Sequence, residues 1–147
     1  MKKLIFVCLG NICRSPMAEF IMKDLVKQAG RADSFQISSA AASSEALGCC
    51  MEPRAAAVLK RHGVPFTDHR AVKLTSAMIA DADLVIGMDE GNLLAMKRLA
   101  RQEDLPKLKL LNEYSGIPHP VADPWYTGDF ETAFYEIQQG CKNLLQF

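Results

Sequence analysis

The sequence lacks a recognisable cysteine framework. Its five cysteines are odd in number and lack the paired spacing of a disulfide-rich protein. We therefore expect free thiols in a reducing compartment. The spacing of Cys8 and Cys13 is not typical of a zinc site, and neither is that of the adjacent pair Cys49 and Cys50, so we expect no metal and no cofactor.

An excess of charge of one sign is also lacking. Seventeen lysines and arginines balance seventeen aspartates and glutamates, which leaves a formal net charge of zero. Such a chain has no overall field to attract nucleic acid or an anionic membrane, so we expect neither as a partner. Any anion-binding site must then be local.

Long apolar runs are absent as well. Two lysines precede an apolar run over residues 4–9, as in a signal peptide, but the run is too short and is interrupted by Asn11 and Arg14. No other stretch approaches the length of a membrane span. We expect a cytoplasmic protein with a single domain over residues 1–147, a length close to that of one ordinary domain.

One short stretch carries distinctive chemistry. Residues 4–7 predict a buried strand and Pro16 predicts a helix start, with Ser15 as its N-cap. The segment between them is a tight loop ending at the positive end of a helix dipole, where an anion is favoured. We call this segment the 8–15 loop, and it reads Cys8-Leu9-Gly10-Asn11-Ile12-Cys13-Arg14-Ser15.

The residue types of the 8–15 loop suit a nucleophile that handles phosphate. The helix dipole and a nearby guanidinium favour the thiolate form of Cys8, and Arg14 can bind two phosphoryl oxygens at once. Gly10 permits close approach, and the loop N–H groups can hold the remaining oxygens. A cysteine followed six positions later by an arginine occurs by chance about one time in four, but the flanking strand, serine and proline lower that rate to well under about one in a hundred. The loop lacks the second glycine and the lysine of a nucleotide-binding P-loop.

A phosphate ester also needs an acid for its leaving oxygen. The best candidate is Asp123, in the run Asp123-Pro124-Trp125-Tyr126 within a predicted long loop over residues 112–128. By itself, an aspartate before a proline is more typical of a turn.

Strand and helix signals alternate along the chain, which predicts an α/β domain with a mainly parallel sheet. In such sheets ligands bind beyond the carboxyl ends of the strands, where the first strand delivers Cys8. Predicted strands lie at residues 4–7, 35–40, 71–73, 84–88 and 108–111, and predicted helices at 16–30, 53–62, 75–80, 92–101 and 130–144.

These motifs strongly resemble the low-molecular-weight protein tyrosine phosphatases, whose signature is the loop C-L-G-N-I-C-R-S with D-P-W-Y or D-P-Y-Y far downstream. The resemblance covers essentially the whole chain. It implies a single-domain, three-layer α/β fold with a central four-stranded parallel sheet in the order 2-1-3-4 and helices on both faces. Further matching segments are Ser39-Ala40-Ala41, His69, Gly87-Met88-Asp89-Glu90 and Gly128-Asp129-Phe130-Glu131-Thr132.

The resemblance also implies a mechanism. Cys8 would attack phosphorus, and Arg14 and the rest of the loop from Leu9 to Ser15 would bind the phosphoryl group. Asp123 would protonate the phenolic oxygen and then activate the water that hydrolyses the phosphocysteine. Ser15 would help the thiol to leave. A supporting hydrogen-bond network would be formed by Asn11, Ser15, Ser39 and His69.

The substrate entrance departs from the family pattern. Members commonly carry an aromatic side chain where this sequence, aligned without gaps, has Glu45. A carboxylate there would repel acidic peptides and could not stack on a phenyl ring. Trp125 and Tyr126 remain as a wall, and Tyr126 is a phosphorylation target only by analogy. The resemblance favours a reversible Cys8–Cys13 disulfide that protects Cys8 from irreversible oxidation.

The favoured function is thus hydrolysis of phosphotyrosine proteins or small aryl phosphates by a monomer or weakly self-associating enzyme. Two alternatives stay open. An arsenate reductase on the same scaffold needs two further cysteines near the fourth strand, and residues 74–95 contain none. A non-catalytic phosphate-binding module would not need the full set of Cys8, Arg14 and Asp123.

Overall fold

The fold is built on four parallel strands, in a computed structural model that describes all 147 residues. The first strand lies inside the sheet, with its Cys8 beside Ala41 of the second strand and its Val7 beside Gly87 of the third. The sheet order is β2-β1-β3-β4, which confirms the predicted parallel sheet in the order 2-1-3-4. The strands are β1 (Lys2–Cys8), β2 (Phe35–Ala41), β3 (Leu84–Gly87) and β4 (Leu108–Leu110).

Seven α-helices surround the sheet, and two short 3₁₀ turns, Ala32–Ser34 and Gln102–Lys107, precede β2 and β4. None of the helices combines the length and the hydrophobicity needed to cross a membrane. The helices are α1 (Arg14–Gln28), α2 (Pro53–Arg61), α3 (Ser76–Asp81), α4 (Glu90–Leu99), α5 (Asn112–Ser115), α6 (Pro124–Thr127) and α7 (Phe130–Leu144).

The strands are apolar on both faces because helices cover both. Side chains alternate along a strand, so Leu4 and Phe6 face a large core shared with α1, α2 and α7. Ile5 and Val7 face a smaller core shared with α3 and α4. The predicted apolar stripe of the last helix lies wholly in the large core: Phe130, Phe134, Ile137, Cys141 and Leu144.

Several helix ends follow the predicted signals. The hydroxyl of Thr75 accepts a hydrogen bond from the N–H of Met78 and caps α3. Pro53 is the first residue of α2, and Gly63, with φ of 70°, follows that helix in a left-handed conformation.

The N-terminus of α1 differs from the prediction. The helix begins at Arg14, so Ser15 lies in its first turn and is not the N-cap, and Cys13 at the cap position makes no side-chain capping bond. The reason is a competing partner, because the Ser15 hydroxyl is held by Asn11 and lies beside Cys8.

Two other predictions also need correction. The expected strand at residues 71–73 does not join the sheet as a strand. It forms only an isolated bridge, in which Lys73 pairs with Ala41 at the end of β2. The expected loop at residues 112–128 contains the four-residue helices α5 and α6, which end at Gly116 and Gly128 with φ of 74° at both glycines.

Candidate active site

A cleft of about 340 Å³ opens at the carboxyl end of β1. The 8–15 loop forms one side of this cleft, and Asp123 lines it although it lies more than a hundred positions later in the chain. The predicted wall residues Glu45, Trp125 and Tyr126 line it too. The fold therefore brings the predicted thiol, guanidinium, carboxylate and wall residues into one place.

The backbone of the 8–15 loop is arranged to receive an anion. Carbonyl oxygens of the loop are occupied: those of Cys8, Leu9 and Ile12 accept N–H groups of Ala42, Ser43 and Glu52 at 2.8, 3.0 and 2.8 Å. By contrast, none of the N–H groups of residues 9–15 donates to a protein acceptor. Free N–H groups at the N-terminus of a fifteen-residue helix attract negative charge.

Asn11 fixes the shape of the loop. Its φ of 58° is left-handed, a conformation that asparagine tolerates better than most residues. The side-chain oxygen accepts the N–H of Val72 at 3.1 Å, so its amide nitrogen faces Ser15 Oγ at 2.8 Å and Ser39 Oγ at 2.9 Å. The backbone oxygen of Asn11 lies 2.7 Å from His69 Nε2. The four residues expected to form the network are therefore in contact.

The same hydrogen bonds determine what Ser15 offers to the thiol. Because Ser15 Oγ accepts from Asn11, its own proton is free to point to Cys8 Sγ, 3.0 Å away. Ser39 Oγ in turn donates to Glu19 Oε1 at 2.6 Å. Sequence reasoning missed Glu19, although it lies four residues after Ser15 and hence on the same helix face.

Arg14 is held by acidic groups and a carbonyl. Its side chain is only 2% exposed, and a buried guanidinium requires partners. One terminal nitrogen donates to Asp89 Oδ2 and to the carbonyl of Val121, both at 2.8 Å, and the other lies 3.4 Å from Asp123 Oδ2. Asp89 was not predicted as a site residue, yet it directly follows β3 at the same edge of the sheet as Cys8, which is a usable signal.

The two oxygens of Asp123 have different surroundings. Oδ1 accepts the N–H of Trp125 at 3.1 Å and thereby caps α6, while Oδ2 faces Arg14. The short helix α6 then presents Trp125 and Tyr126, 52% and 76% exposed, beside the cleft. The carboxylate of Glu45 has no hydrogen-bond or ion-pair partner within the protein.

The five thiols are all free. Burial, with a smaller contribution from the nearby Cys8, raises the pKa of Cys13 to about 12. Burial also raises the pKa of Cys141, which lies in the large core. Cys49 is exposed and lines the cleft, a position that the sequence analysis did not assign to it. No cluster of three or more histidine, cysteine or acidic side chains is placed to hold a metal ion.

Comparison with known proteins matches residues 3–147 to the family described as low molecular weight phosphotyrosine protein phosphatase. The human low molecular weight phosphotyrosine protein phosphatase is 35% identical over 99% of this chain and 94% of its own length. The chain belongs to this family. It is therefore a hydrolase of the low molecular weight protein tyrosine phosphatase type, as the resemblance predicted.

Solved structures of phosphatases in this family share the fold closely. YfkJ from Bacillus subtilis superposes with a TM-score of 0.95 at 34% identity, covering 99% of this chain and 93% of YfkJ. A second structure, named DARP, drosophila arginine phosphatase, gives a TM-score of 0.89 at 32% identity, covering 99% of this chain and 96% of that one.

Proposed function

We propose that this enzyme hydrolyses phosphotyrosine and other aryl phosphate monoesters through a phosphocysteine on Cys8, with Asp123 as general acid and then general base. The observation that carries the proposal is the shared cleft. Cys8, Arg14 and Asp123 line it together. The backbone N–H groups of the 8–15 loop, to which Cys8 and Arg14 belong, are free to bind phosphoryl oxygens. Family membership supports the same reaction class.

In the first step, Cys8 Sγ forms a bond to phosphorus while the bond from phosphorus to the leaving oxygen breaks. The free loop N–H groups and Arg14 stabilise the charge on the phosphoryl oxygens. Asp123, in its protonated form, gives its proton to the leaving phenolic oxygen. The ion pairs of Arg14 with Asp89 and Asp123 fix the guanidinium before substrate arrives.

In the second step, the Asp123 carboxylate accepts a proton from a water molecule whose oxygen attacks phosphorus. The phosphorus–sulfur bond breaks, and inorganic phosphate and the Cys8 thiolate are released. The hydroxyl of Ser15 donates to the departing sulfur, since Asn11 already occupies its acceptor side.

The lining of the cleft suits an aromatic leaving group. Leu9, Ile12, Trp125 and Tyr126 supply apolar surface next to Cys8 and Arg14. Aromatic side chains pack against a phenyl ring through offset or edge contacts. A phosphoryl group bound by the loop would place its ring among these side chains.

Phosphoarginine is a second candidate substrate. The unpartnered carboxylate of Glu45 in the cleft is suited to bind a guanidinium. One of the similar solved structures, DARP, is named a drosophila arginine phosphatase. Turnover of free phosphoarginine and of phosphotyrosine under equal conditions separates the two. We expect the higher kcat/KM for phosphotyrosine because most of the lining is apolar.

We also propose that the enzyme works in the cytoplasm, where a reducing environment keeps the Cys8 thiol available, and that a Cys8–Cys13 disulfide protects it during oxidation. All five cysteines are free in the structure, which fits such a compartment.

Replacing the nucleophile and the acid tests the mechanism. Cys8→Ser should lower aryl phosphate turnover by roughly 10³-fold or more, because the nucleophile is lost. Asp123→Asn should slow phenyl phosphate by about 10²-fold and p-nitrophenyl phosphate far less, because a good leaving group needs little protonation. Steady-state rates with both substrates, with and without a chelator, measure these effects.

The matched control is Cys50→Ser, which changes an exposed thiol outside the cleft and should leave rates unchanged. Turnover retained in Cys8→Ser would refute the phosphocysteine, and equal slowing of both substrates in Asp123→Asn would refute the acid role. Binding of inorganic phosphate without turnover by the wild type would instead favour a binding module.

A further inference from the structure

Arg54, at the start of α2, contacts residues from two other elements. Its guanidinium lies over the ring of Phe130 with 4.7 Å from Cζ to the ring centroid, and beside the ring of Trp125 at 5.9 Å. Both distances are within the range of cation–π attraction. Arg54 therefore touches the cleft wall on α6 and the first residue of α7, the two helices that follow Asp123.

The other side of Arg54 is fixed to the 8–15 loop. Its Nε donates to Glu52 Oε1 at 3.0 Å, and its backbone N–H donates to Glu52 Oε2 at 2.8 Å. The backbone N–H of Glu52 donates in turn to the carbonyl of Ile12 at 2.8 Å. Ile12 lies in the middle of the loop that would bind the phosphoryl group.

These contacts form a continuous bridge from the loop to the acid. It runs from Ile12 through Glu52 and Arg54 to Trp125, whose N–H donates to Asp123 Oδ1. A helix of four residues such as α6 is not stable by itself, so its position depends on the groups that pack against it. Trp125 is half exposed, and the one aromatic or cation–π contact of its ring is with Arg54.

We propose that Arg54 is a positioning residue, which holds α6 and thereby sets the distance between Asp123 and the leaving oxygen. The inference rests on the proposed acid role of Asp123. The Arg54 side chain is half exposed in its ion pair with Glu52, and an ion pair open to solvent on one side adds little stability by itself. Its value lies in geometry, because a misplacement of a catalytic group by about 1 Å can lower a rate by about 10²-fold.

The first test uses fluorescence and needs no catalysis. Trp125 is the only tryptophan of the chain, so its emission reports on the α6 wall alone. Arg54→Met keeps an apolar stem but removes the charged planar group. We expect a red shift of the emission and a larger Stern–Volmer constant for acrylamide, with Arg54→Lys between Met and wild type because it retains a cation.

The matched control is Arg61→Met. Arg61 lies on the same helix and pairs with Glu131 on α7 at 2.7 Å. Its replacement therefore removes one positive charge between α2 and α7, as Arg54→Met does, but leaves the surroundings of Trp125 unchanged. Its fluorescence should match the wild type. An Arg54→Met protein with wild-type emission and quenching would overturn the proposal, and thermal unfolding of each variant shows whether the comparison is made on folded protein.

The second test separates positioning from general damage. Arg54→Met should lower kcat for phenyl phosphate roughly tenfold relative to p-nitrophenyl phosphate, since only the poor leaving group depends on the acid. The inhibition constant of inorganic phosphate should not change, because the 8–15 loop and Arg14 are retained. Equal slowing of both esters, or weaker phosphate inhibition, would overturn the inference.

If Asp123→Asn itself shows no leaving-group dependence, the acid assignment fails. A fluorescence change in Arg54→Met would still show that Arg54 holds Trp125 at the cleft wall.

Discussion

Asn11 adopts an unfavourable backbone conformation that gives the 8–15 loop its shape. A left-handed conformation at a non-glycine residue costs on the order of 1 kcal/mol. Hydrogen bonds to Val72, Ser15, Ser39 and His69 offset it. Glycine would accept the same φ but would leave both serine hydroxyls without the amide that orients them. The choice of asparagine thus follows from the side chain.

Cys13 lies in the same loop as Cys8 and yet has a different reactivity. It is 4% exposed, and burial raises its pKa to about 12, from an ordinary value of 9.0. A thiol with a raised pKa is protonated at neutral pH, so only a small fraction of Cys13 is nucleophilic there. The proposed protection of Cys8 by Cys13 must therefore depend strongly on pH.

We predict that closure of a Cys8–Cys13 disulfide after peroxide treatment accelerates about tenfold per pH unit between pH 7 and 9, as the Cys13 thiolate fraction rises below its pKa. Peroxide oxidises Cys8 to a sulfenic acid, the Cys13 thiolate attacks that sulfur, and hydroxide leaves. Mass spectrometry of samples quenched with a thiol alkylating agent measures the rate.

A dithiol reductant should restore activity in the wild type and in the control Cys50→Ser after brief oxidation. Cys13→Ser should instead pass to irreversible sulfinic acid at Cys8. Disulfide closure that does not vary with pH, or full recovery of Cys13→Ser, would contradict this role.

Among the helices, α7 packs unusually close to the segment after β4. A Cβ built at Gly140 would lie 2.5 Å from Leu111 Cδ1, 2.7 Å from its Cγ and 3.3 Å from its backbone oxygen. Leu111 is fully buried and has little room to move. The close contact between α7 and Leu111 leaves no room for a side chain at position 140, which explains a glycine inside a fifteen-residue helix.

We predict that Gly140→Ala destabilises the protein although alanine is the better helix former. Alanine gains about 1 kcal/mol of helix propensity over glycine, but overpacking of a buried contact costs roughly 1–3 kcal/mol. The overlap with both carbon atoms favours the larger figure. Thermal unfolding should show a fall in Tm of about 4 °C.

Gly91→Ala is the matched control, since Gly91 is also helical and its added Cβ would meet only Asp89 Oδ1, at 3.4 Å. That variant should keep or raise Tm. A higher Tm for Gly140→Ala than for the wild type would show that Leu111 moves aside easily.

Elements with a clear period were predictable from the sequence, and short ones were not. A strand buried on both faces is apolar throughout, as at residues 84–88. A helix buried on one face has an apolar stripe, as from Phe130 to Leu144. The helices α5 and α6 have four residues each, too few to show any period. Ser15 failed as a predicted N-cap because Asn11, four residues earlier in the 8–15 loop, competes for its hydroxyl.

At the scale of the whole molecule, the site is assembled from distant segments, and this limits what a sequence reveals. Cys8 and Arg14 share one loop, so their relation was readable directly. Asp89 could be inferred only indirectly, from its position directly after β3, and Glu52 is identified only by the packing of α2 against that loop. Their contacts are made through tertiary packing, which local pattern does not record.

The charge balance of the molecule makes the recognition of charged substrates depend on Glu45. Because the formal net charge is zero, no overall field steers a charged substrate, and local groups decide. Within the cleft, Arg14 is buried against Asp89 and Asp123, whereas the Glu45 carboxylate is exposed and unpaired. The entrance therefore presents a net negative charge to whatever flanks the phosphorylated residue.

We predict that phosphotyrosine peptides with flanking lysine or arginine have a kcat/KM about threefold higher than matched peptides with glutamate, the size expected of one exposed charge contact. Glu45→Gln should remove the preference, and about 1 M salt should suppress it in the wild type. Glu103→Gln, an equal change of charge in the 3₁₀ turn before β4 at the opposite edge of the sheet, should retain it. Since p-nitrophenyl phosphate has no flanking charge, its kcat/KM should change little in either variant. A preference that survives in Glu45→Gln would assign the selection to another part of the surface.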